Sequence, residues 1–439
     1  AAAAAKNRFL GLIAVPAADG PAGIAVLALL AAVGGFVLNL TPCVLPVIPI
    51  KIMTISHHAG ESRGRALALG LWMAAGVVAF WAGLGVLAVG VSAFADPSRL
   101  FGIWWFTLLI GLLILAMGVG IMGAFQITLP QKVYAVNPKA DTAHGSFLFG
   151  VMTAVLGLPC FGFVAGALLA GVALMPPAVV VAIFGSIGVG MALPYLVLAA
   201  RPGLVKRLPR TGPASELVKQ MMGLLMLAAA AYFIGSGVLA LLSGRGAALP
   251  WWAKAMHWWA IGLALLASGV WLAVRTFAIT RKPVPRVSFA LVAALFAAVG
   301  VWAAVNRTDH LRHNFWQPYS PEAMAAALDA GNVVVLDFTA EWCLNCKTLE
   351  ATVLARDPVR AELLGPGVVP MVADLTSTTA PGWETLRALG QTGIPLLAVF
   401  NPAGGEKSPV WMANAYTPGQ VLDAIELARE SPKAAAALP

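Results

Sequence analysis

The sequence predicts a polytopic α-helical membrane domain followed by a soluble α/β domain, on the basis of composition, charge distribution and cysteine placement. Of the 439 residues, 60% are hydrophobic and 11% are charged, whereas a soluble domain carries about 25% charged residues. Residues up to 305 are almost continuously apolar, whereas residues 321–439 have the composition and length of one globular domain. Of the four cysteines, two lie in apolar segments and two in the soluble part. We therefore expect most of the chain to lie in lipid.

Eight segments are apolar and long enough to span a bilayer as helices, each of which needs about 20 residues. They cover residues 22–50, 66–91, 101–125, 147–171, 178–199, 217–242, 257–277 and 287–305. The membrane domain is thus predicted over residues 21–305, and residues 306–320 are predicted to be a polar linker that lets the following domain move. Residues 1–20 show no clear signal-peptide pattern and are interpreted as the tail of a processed or truncated terminus.

Basic residues alternate between the loops of the predicted membrane domain. Fourteen Lys and Arg residues lie in the first, third, fifth and seventh loops, against three in the second, fourth and sixth. Loops rich in Lys and Arg stay in the cytoplasm, so both termini and the soluble domain are predicted to lie on the outer side of the membrane. The net charge of +9 comes largely from these loops and does not predict nucleic-acid binding. Six tryptophans near the predicted outer ends agree with this orientation: Trp104, Trp105, Trp251, Trp252, Trp258 and Trp259.

Cys43 and Cys160 each follow a proline at corresponding points of two three-span sets. The first lies in the segment TPCVLP and the second in the segment LPCF, which open spans 1–3 and spans 4–6 respectively. An odd number of spans in each repeat makes the second copy inverted. Pro42, Pro46 and Pro159 are predicted to interrupt the helices, which membrane proteins tolerate only where protein covers the backbone or the backbone lines a wet cavity.

Two interpretations of these membrane cysteines remain open. Most free cysteines in membrane helices are small buried hydrophobes, and either residue taken alone fits that description. Their matched positions after proline favour a second interpretation, a reversible Cys43–Cys160 disulfide near the bilayer centre that is exposed to each side in turn.

A dithiol motif follows the strongest predicted strand of the soluble domain. Residues 333–339 (VVVLDFT) form an apolar, β-branched run that is typical of a buried strand. Trp342, Cys343 and Cys346 follow at once in the segment WCLNC. We predict further strands at 368–373 and 396–400, and helices at 344–354, 383–389 and 420–429. A strand, a CxxC at a helix N-terminus and alternating elements form a thioredoxin-like pattern, predicted here over residues 321–439.

The position of the CxxC motif predicts redox chemistry. Amides at a helix N-terminus favour the thiolate of Cys343, which makes it the nucleophile, while Cys346 resolves the mixed disulfide. Attachment of haem would require His at the position of Lys347, and a zinc site would need two more ligands at short spacing. No metal, flavin or quinone is therefore expected.

Three other residues are predicted to support the dithiol. Pro395 precedes a strand, and its bond to Ile394 is predicted to be cis and packed against the CxxC, with an ordinary loop proline as the alternative. Asp337 and Glu350 are predicted to place carboxylates beneath the dithiol, where they would oppose thiolate formation and assist proton transfer.

These motifs resemble those of the DsbD family of transmembrane thiol–disulfide reductases, over residues 22–430. The TPCVLP segment around Cys43 matches the family's first intramembrane motif. Cys160 matches the second by position, although LPCFGF departs from the Pro-Cys-Thr-rich form of the best-known members and favours the ScsB-like branch.

The resemblance extends to the soluble domain. Cys343, Cys346 and Pro395 correspond to catalytic residues of the family's C-terminal thioredoxin-like domain, and Asp337 and Glu350 correspond to its acidic positions. Family members usually carry an N-terminal periplasmic domain with its own cysteine pair. We expect that domain to have been cut away, or its task to belong to another protein.

The resemblance implies that electrons cross the membrane by thiol–disulfide exchange alone. Cytoplasmic thioredoxin would reduce the Cys43–Cys160 disulfide, and the resulting dithiol would turn outward and reduce Cys343–Cys346. The final acceptor would be the missing terminal domain or a periplasmic thioredoxin-like protein. A dedicated reductant for cytochrome c maturation would differ only in its partner, and the ScsB-like branch suggests a role in copper tolerance.

A metal-ion transporter with a regulatory thioredoxin-like domain is the alternative from another class of protein. Metal passage would require carboxylate, His or Met ligands that face the pathway, and no Asp or Glu lies inside the eight predicted spans. His57, His58, His310 and His313 are interpreted as solvated loop residues. The electron relay is therefore the favoured hypothesis.

Overall fold

The computed structural model describes most of the chain but not the predicted membrane cysteine sites. The described residues are 8–9, 13–14, 21–39, 63–90, 100–122, 142–155, 157, 176–200, 213–245, 250–279, 283–391, 393–405 and 408–430. Cys43, Cys160, Pro42, Pro46 and Pro159 lie outside these residues. The disulfide and the helix breaks proposed for them therefore stay predictions.

Eight apolar helices precede the soluble domain in the described part of the chain. They are α1 (Pro21–Leu38), α2 (Arg63–Gly90), α3 (Trp104–Ile121), α4 (Ala143–Val155), α5 (Pro177–Ala200), α6 (Pro213–Gly244), α7 (Trp251–Ile279) and α8 (Pro283–Arg312). Six of them (α2, α3 and α5 to α8) are long and apolar enough to cross a membrane, whereas the described parts of α1 and α4 are shorter. The helical membrane domain is confirmed, and the count of eight spans stays a prediction. A short hairpin of β1 (Arg8–Phe9) and β2 (Ile13–Ala14) precedes α1.

Helix α8 corrects the predicted linker. It continues to Arg312, so residues 306–312 form its last turns and not a flexible segment. The sequence offers no stop signal there, because neither Gly nor Pro occurs between Gly300 and Pro318. The prediction for His310 was also wrong, since its side chain is only 18% exposed, whereas His313 is solvent-exposed as predicted.

Close backbone contacts join α1 to α5. Gly35 lies so near the carbonyl group of Ile187 that no side chain would fit, and Gly190 lies equally close to the carbonyl group of Ala32. Small residues allow membrane helices to approach in this way. The two glycines therefore fix the register of this helix pair.

The same kind of contact joins α4 to α2. Gly150 lies against the carbonyl group of Met73, and Gly76 lies against the carbonyl group of Phe147, again with no room for a side chain. Each pair thus combines two reciprocal contacts between a glycine and a carbonyl group.

The soluble domain is built on a five-stranded sheet of order β3-β5-β4-β6-β7. Its strands are β3 (Gln317–Pro318), β4 (Val333–Thr339), β5 (Val368–Asp374), β6 (Leu396–Phe400) and β7 (Pro409–Ala413). Its helices are α9 (Pro321–Asp329), α10 (Leu344–Leu349), α11 (Val359–Leu363), α12 (Gly382–Ala388) and α13 (Pro418–Glu430). The predicted thioredoxin-like arrangement is confirmed, whereas β3, β7, α9 and α11 were not predicted. Because β3 pairs with β5, the sheet begins before the predicted domain start at 321.

Strand β4 carries the site. It is buried along its whole length, parallel to β5 and antiparallel to β6. Alternate side chains of a strand point to opposite faces, so Phe338 joins the cluster that contains the two cysteines of the CxxC motif. Asp337 and Thr339 point to the other face. The strand therefore ends with the dithiol on one side and polar groups on the other.

Candidate active site

The two cysteines of the CxxC motif form a disulfide at the beginning of α10. Cys343 caps the helix, because its Sγ accepts a hydrogen bond of 3.2 Å from the Cys346 backbone N–H. Both residues are buried, with 7% of Cys343 and 2% of Cys346 exposed. The predicted redox pair at a helix N-terminus is present, and Cys343 is the more accessible of the two sulfur-bearing residues.

The predicted cis proline is present in the same domain as this disulfide. The Ile394–Pro395 peptide bond is cis, and Ile394 packs in the same apolar cluster as the two cysteines. Asn414 Nδ2 donates a 2.9 Å hydrogen bond to the Pro395 carbonyl oxygen and holds the loop in place. The predicted cis bond is confirmed, whereas its direct packing against the CxxC stays a prediction.

Glu350 is buried at the centre of a polar network. One carboxylate oxygen, Oε1, accepts hydrogen bonds from Thr339 Oγ1 at 2.5 Å and from Lys347 Nζ at 2.8 Å. The other, Oε2, accepts a 2.7 Å hydrogen bond from Arg307 Nη1. The carboxylate is therefore paired with one cation of its own domain and with one from helix α8 of the membrane domain.

Arg307 also binds a second buried carboxylate. Its Nη2 donates to Glu341 Oε1 at 3.1 Å, and the same oxygen lies 3.4 Å from Lys347 Nζ. Arg307, Glu341, Lys347 and Glu350 are all buried, and we call these four residues the junction cluster. It joins two cations to two carboxylates across the contact between the domains.

The surroundings of the carboxylates separate their protonation states. Burial alone would raise the pKa of Glu350, but Lys347 and Arg307 outweigh it and lower that pKa to about 2. Burial would also raise the pKa of Glu341, but Lys347 and Arg307 outweigh this effect and hold that pKa below its usual range. For Asp337, burial and the neighbouring Glu350 raise the pKa well above its usual value. The site therefore favours two carboxylates and one protonated acid.

Apolar contacts bring the CxxC segment onto the membrane domain. The Trp342 ring stacks on Phe101, which immediately precedes α3, with centroids 5.8 Å apart and an interplanar angle of 27°. Leu344 packs on the cluster that includes Phe233 of α6 and Trp258 of α7. Ser236 Oγ of α6 donates a 3.2 Å hydrogen bond to the Glu341 carbonyl oxygen. The residues on both sides of Cys343 are thus held by membrane-domain helices.

A second ion pair lies at the rim of the same contact. Lys254 Nζ of α7 and Asp374 Oδ2 at the end of β5 are 2.8 Å apart. Their side chains are 26% and 35% exposed, in contrast to the buried cluster. This pair therefore lies in a more solvated environment.

A cavity of about 260 Å³ connects these groups. Its lining includes Asp337, Glu350, Arg307, Lys254 and Asp374. One water molecule occupies about 30 Å³ in the liquid, so the cavity has room for a chain of waters between the buried acids and the rim. Among the described residues, no group of three or more His, Cys, Asp or Glu is placed to hold a metal ion.

Sequence reasoning found some of these residues and missed others. The predicted CxxC disulfide and the cis bond before Pro395 are present, and Asp337 and Glu350 line one cavity. The position of these carboxylates beneath the dithiol stays a prediction. Arg307, Glu341, Lys347, Lys254 and Phe101 were not assigned a role. Arg307 was placed in the linker, and no local pattern connects it with carboxylates 34 and 43 positions later. The available signal was chemical, because a basic side chain on a helix that emerges from lipid needs an acidic partner if it is buried.

Comparison with known families matches both parts of the chain. Residues 24–239 match the family described as cytochrome c biogenesis protein transmembrane domain, the DsbD transmembrane family. Residues 315–402 match a thioredoxin-like family. The order of the two matches agrees with the two domains of the structure.

Several curated relatives cover both domains. The chain is 28% identical to the thiol:disulfide interchange protein DsbD of Ralstonia nicotianae over 413 residues, which is 86% of this chain and 64% of that protein. It is 28% identical to DsbD 2 of Pseudomonas aeruginosa over 85% of this chain and 65% of that protein. It is 27% identical to DsbD of Yersinia enterocolitica over 90% of this chain and 68% of that protein. No solved structure matches the chain. The resemblance to the DsbD family is confirmed.

Proposed function

We propose that this relative of the DsbD proteins is a protein-disulfide reductase that carries reducing equivalents across the bacterial inner membrane. The observation that carries the proposal is the orientation of the CxxC segment, which is buried against the ends of membrane-domain helices. A dithiol that served only soluble partners would gain nothing from this burial. The membrane domain is therefore proposed as the exchange partner of Cys343.

The proposed reaction is a sequence of thiol–disulfide exchanges. Cytoplasmic thioredoxin reduces a Cys43–Cys160 disulfide, and one membrane thiolate then attacks Cys343 and releases Cys346 as a thiolate, which takes up a proton. The second membrane thiol loses its proton and attacks the mixed disulfide, which restores the membrane disulfide and releases Cys343. Two electrons and two protons reach the soluble pair, so no further cofactor is required.

Asp337 is proposed as the proton donor for this step. Its raised pKa favours the protonated acid over the carboxylate, and the polar cavity that it lines gives a route for its reprotonation. Glu350 holds the negative charge next to it. The pair thus combines one acid that can release a proton with one fixed carboxylate.

The repeated glycine contacts support two inverted repeats with alternating access. Ala32 and Gly35 of α1 play the same roles as Phe147 and Gly150 of α4, while α5 and α2 exchange places as their partners. A two-fold relation between spans 1–3 and 4–6 requires that a contact of α1 with α5 be matched by a contact of α4 with α2. Cys43 and Cys160 follow α1 and α4 in the sequence, so the repeat would bring them to equivalent positions.

The position of the soluble domain supports a periplasmic location for it. It contacts Phe101 before α3, Ser236 near the end of α6, Lys254 near the start of α7 and Arg307 near the end of α8. All four lie toward helix ends that the distribution of basic residues assigns to the outer side. The contacts thus bring these helix ends to one side with the soluble domain, and the distribution of basic residues supports assigning that side to the periplasm.

The final acceptor is proposed to be a thioredoxin-like domain or protein in the periplasm. The chain spans 64% of the length of the Ralstonia relative, so the activity of that whole protein is carried over here only as a proposal. Such an acceptor would serve cytochrome c maturation or general periplasmic reduction. It must reach Cys343, so the soluble domain has to leave the membrane domain during the cycle.

Trapping of mixed disulfides tests the relay. In membranes that contain the Cys160→Ala variant, reduced thioredoxin without its resolving cysteine should form an adduct with Cys43. In a second experiment, the Cys346→Ala variant should accumulate a disulfide between Cys343 and a membrane cysteine. The matched controls are C43A/C160A and C343A/C346A, which remove the expected partners. If neither adduct forms and the soluble pair is still reduced normally, the relay is wrong.

A further inference from the structure

Arg307 belongs to the membrane domain, but its partners belong to the soluble domain. It lies on α8, which is continuous with the eighth predicted span. Its two terminal nitrogens donate separately to Glu350 and to Glu341, and only 9% of the residue is exposed. A guanidinium group divided between two carboxylates fixes both of them in position.

Glu350 is paired with two cations that belong to different domains. Lys347 lies one helical turn before it and stays with it wherever the soluble domain moves. Arg307 is present only while that domain contacts α8. Other charged or titratable groups around the cluster come from every element packed there: Tyr232 of α6, Lys254 and His257 of α7, His310 of α8, Asp337 of β4, Asp374 of β5, and Tyr416 before α13.

We propose that Arg307 is a positioning residue that holds Glu350 in place and stabilises its ionised form while the soluble domain is docked on the membrane domain. This inference rests on the proposed relay, in which the soluble domain docks to receive electrons and leaves to deliver them. Docking and the protonation state of the acid cluster then form one equilibrium. Departure from α8 removes a cation from Glu350, and the carboxylate takes up a proton more readily.

Linkage gives the proposal a definite sign. The pKa of Glu350 is lowered to about 2 in the docked state and rises when Arg307 is removed by undocking. Docking therefore releases a proton, so it is strongest above the undocked pKa and weakens as the pH falls toward the docked pKa. In an Arg307→Met variant, docking still desolvates Glu350 but supplies no cation from α8. Docking then takes up a proton and weakens as the pH rises.

Chemical reduction of the buried disulfide measures docking. We suggest using the full chain in lipid nanodiscs with Cys43→Ser and Cys160→Ser, so that Cys343–Cys346 is the only reporter. Because both sulfur-bearing residues are buried in the docked state, a soluble phosphine reductant reacts mainly with the undocked state. The ratio of variant to wild-type rates at each pH, from about pH 4 to about pH 8, cancels the titration of the reagent and of unchanged groups.

The variants separate positioning from simple anchoring. R307M should raise the reduction rate at neutral pH by about tenfold or more, and its docking should show the reversed dependence on pH. R307K keeps the charge and should retain the wild-type sign. The matched control K254M breaks the rim ion pair and should raise the rate by only about two- to fivefold, with the wild-type sign.

A second variant keeps the proposal testable if R307M fails to fold or never docks. E350Q removes the group that is proposed to titrate but leaves Glu341, whose pKa Arg307 also lowers, so the dependence of docking on pH should become weaker than in the wild type. The proposal is overturned if E350Q keeps the full wild-type dependence, or if R307M docks with the wild-type sign. Since the membrane cysteines are absent throughout, a failed relay in the trapping experiments and a failed role of Arg307 give separate results.

Discussion

Among the described residues, the ion pairs that join the soluble domain to the membrane domain lie in two places, the junction cluster and the rim, which differ chiefly in their exposure to water. In the junction cluster, Arg307 binds Glu341 and Glu350 with side chains that are 10% exposed or less. At the rim, Lys254 binds Asp374 with side chains that are 26% and 35% exposed. The chemistry of the pairs is similar, but their energetic consequences are not. Exposed pairs contribute about 0–1 kcal/mol, whereas breaking a buried pair costs about 3–5 kcal/mol.

This difference assigns distinct roles to the two contacts. A buried cluster is expensive to desolvate and adds little net stability over apolar residues, but it tolerates one geometry only. An exposed pair is screened by salt and acts mainly on the approach of the two domains. The cluster therefore determines how the CxxC is positioned on the membrane domain, and the rim pair affects how readily the domain arrives there.

The largest predicted effect comes from Glu341→Ala. This change leaves Arg307 and Lys347 to share a single buried carboxylate, so we expect docking to weaken by about 3–5 kcal/mol. Hydrogen exchange of the full chain in nanodiscs measures the effect, as faster exchange of the amides in residues 341–354. The rim control Asp374→Ala should change exchange there by less than about 1 kcal/mol.

A charge-free cluster sharpens the comparison. Combining Arg307→Met and Lys347→Met with Glu341→Gln and Glu350→Gln removes all four charges of the junction cluster. Docking of this variant should be closer to that of the wild type than docking of Glu341→Ala, because no charge is left facing an empty position. Equal losses in the Glu341→Ala and Asp374→Ala variants would contradict the distinction between buried and exposed contacts.

A smaller effect is expected from Asp337, the third carboxyl group of the site. Burial and Glu350 raise its pKa above the unfolded value, so the folded state binds the extra proton. Its contribution to stability is fully present below the unfolded pKa and is lost as the pH rises through the folded pKa. We expect the free energy of unfolding of the wild type to fall with a slope of up to about 1.4 kcal/mol per pH unit in that range.

The Asp337→Asn variant tests this assignment. Asparagine keeps the size and the polar character but does not titrate, so the slope should disappear in the pH range of the folded pKa. Urea unfolding of the soluble domain within the full chain, followed at several pH values, measures the difference. Parallel curves for the variant and the wild type would show that Asp337 is not the group that titrates.

Local sequence patterns predicted the features that depend on local physics. The apolar run of β4, the helix cap at Cys343 and the cis bond before Pro395 follow from residues that are adjacent in the chain. Asp337 could be recognised because it interrupts an apolar strand. The boundaries of α5 were predicted within one residue at each end (178–199 against Pro177–Ala200), since the apolar segment and the helix coincide there.

The missed features depend on contacts between distant residues. Arg307 was read as part of a mobile linker because polar composition after an apolar span looks the same whether the chain is solvated or docked. Only the fold brings it to Glu341 and Glu350. Phe101 likewise gave no signal as the partner of Trp342. Interfaces between domains are therefore the part of this site that one sequence does not specify.

The smallest predicted effect is that of Lys254→Met at the rim. The pair with Asp374 is partly solvated, so its loss should weaken docking by about 0.2–1 kcal/mol. Because salt screens such charges, the difference between the variant and the wild type should shrink as salt rises from about 0.05 M to about 1 M. The rate of disulfide reduction in nanodiscs provides the measurement. The partners of Arg307 are buried, so the difference between R307M and the wild type should persist at the same salt concentrations. If high salt removed the effect of R307M as well as that of Lys254→Met, the two contacts would lie in the same environment.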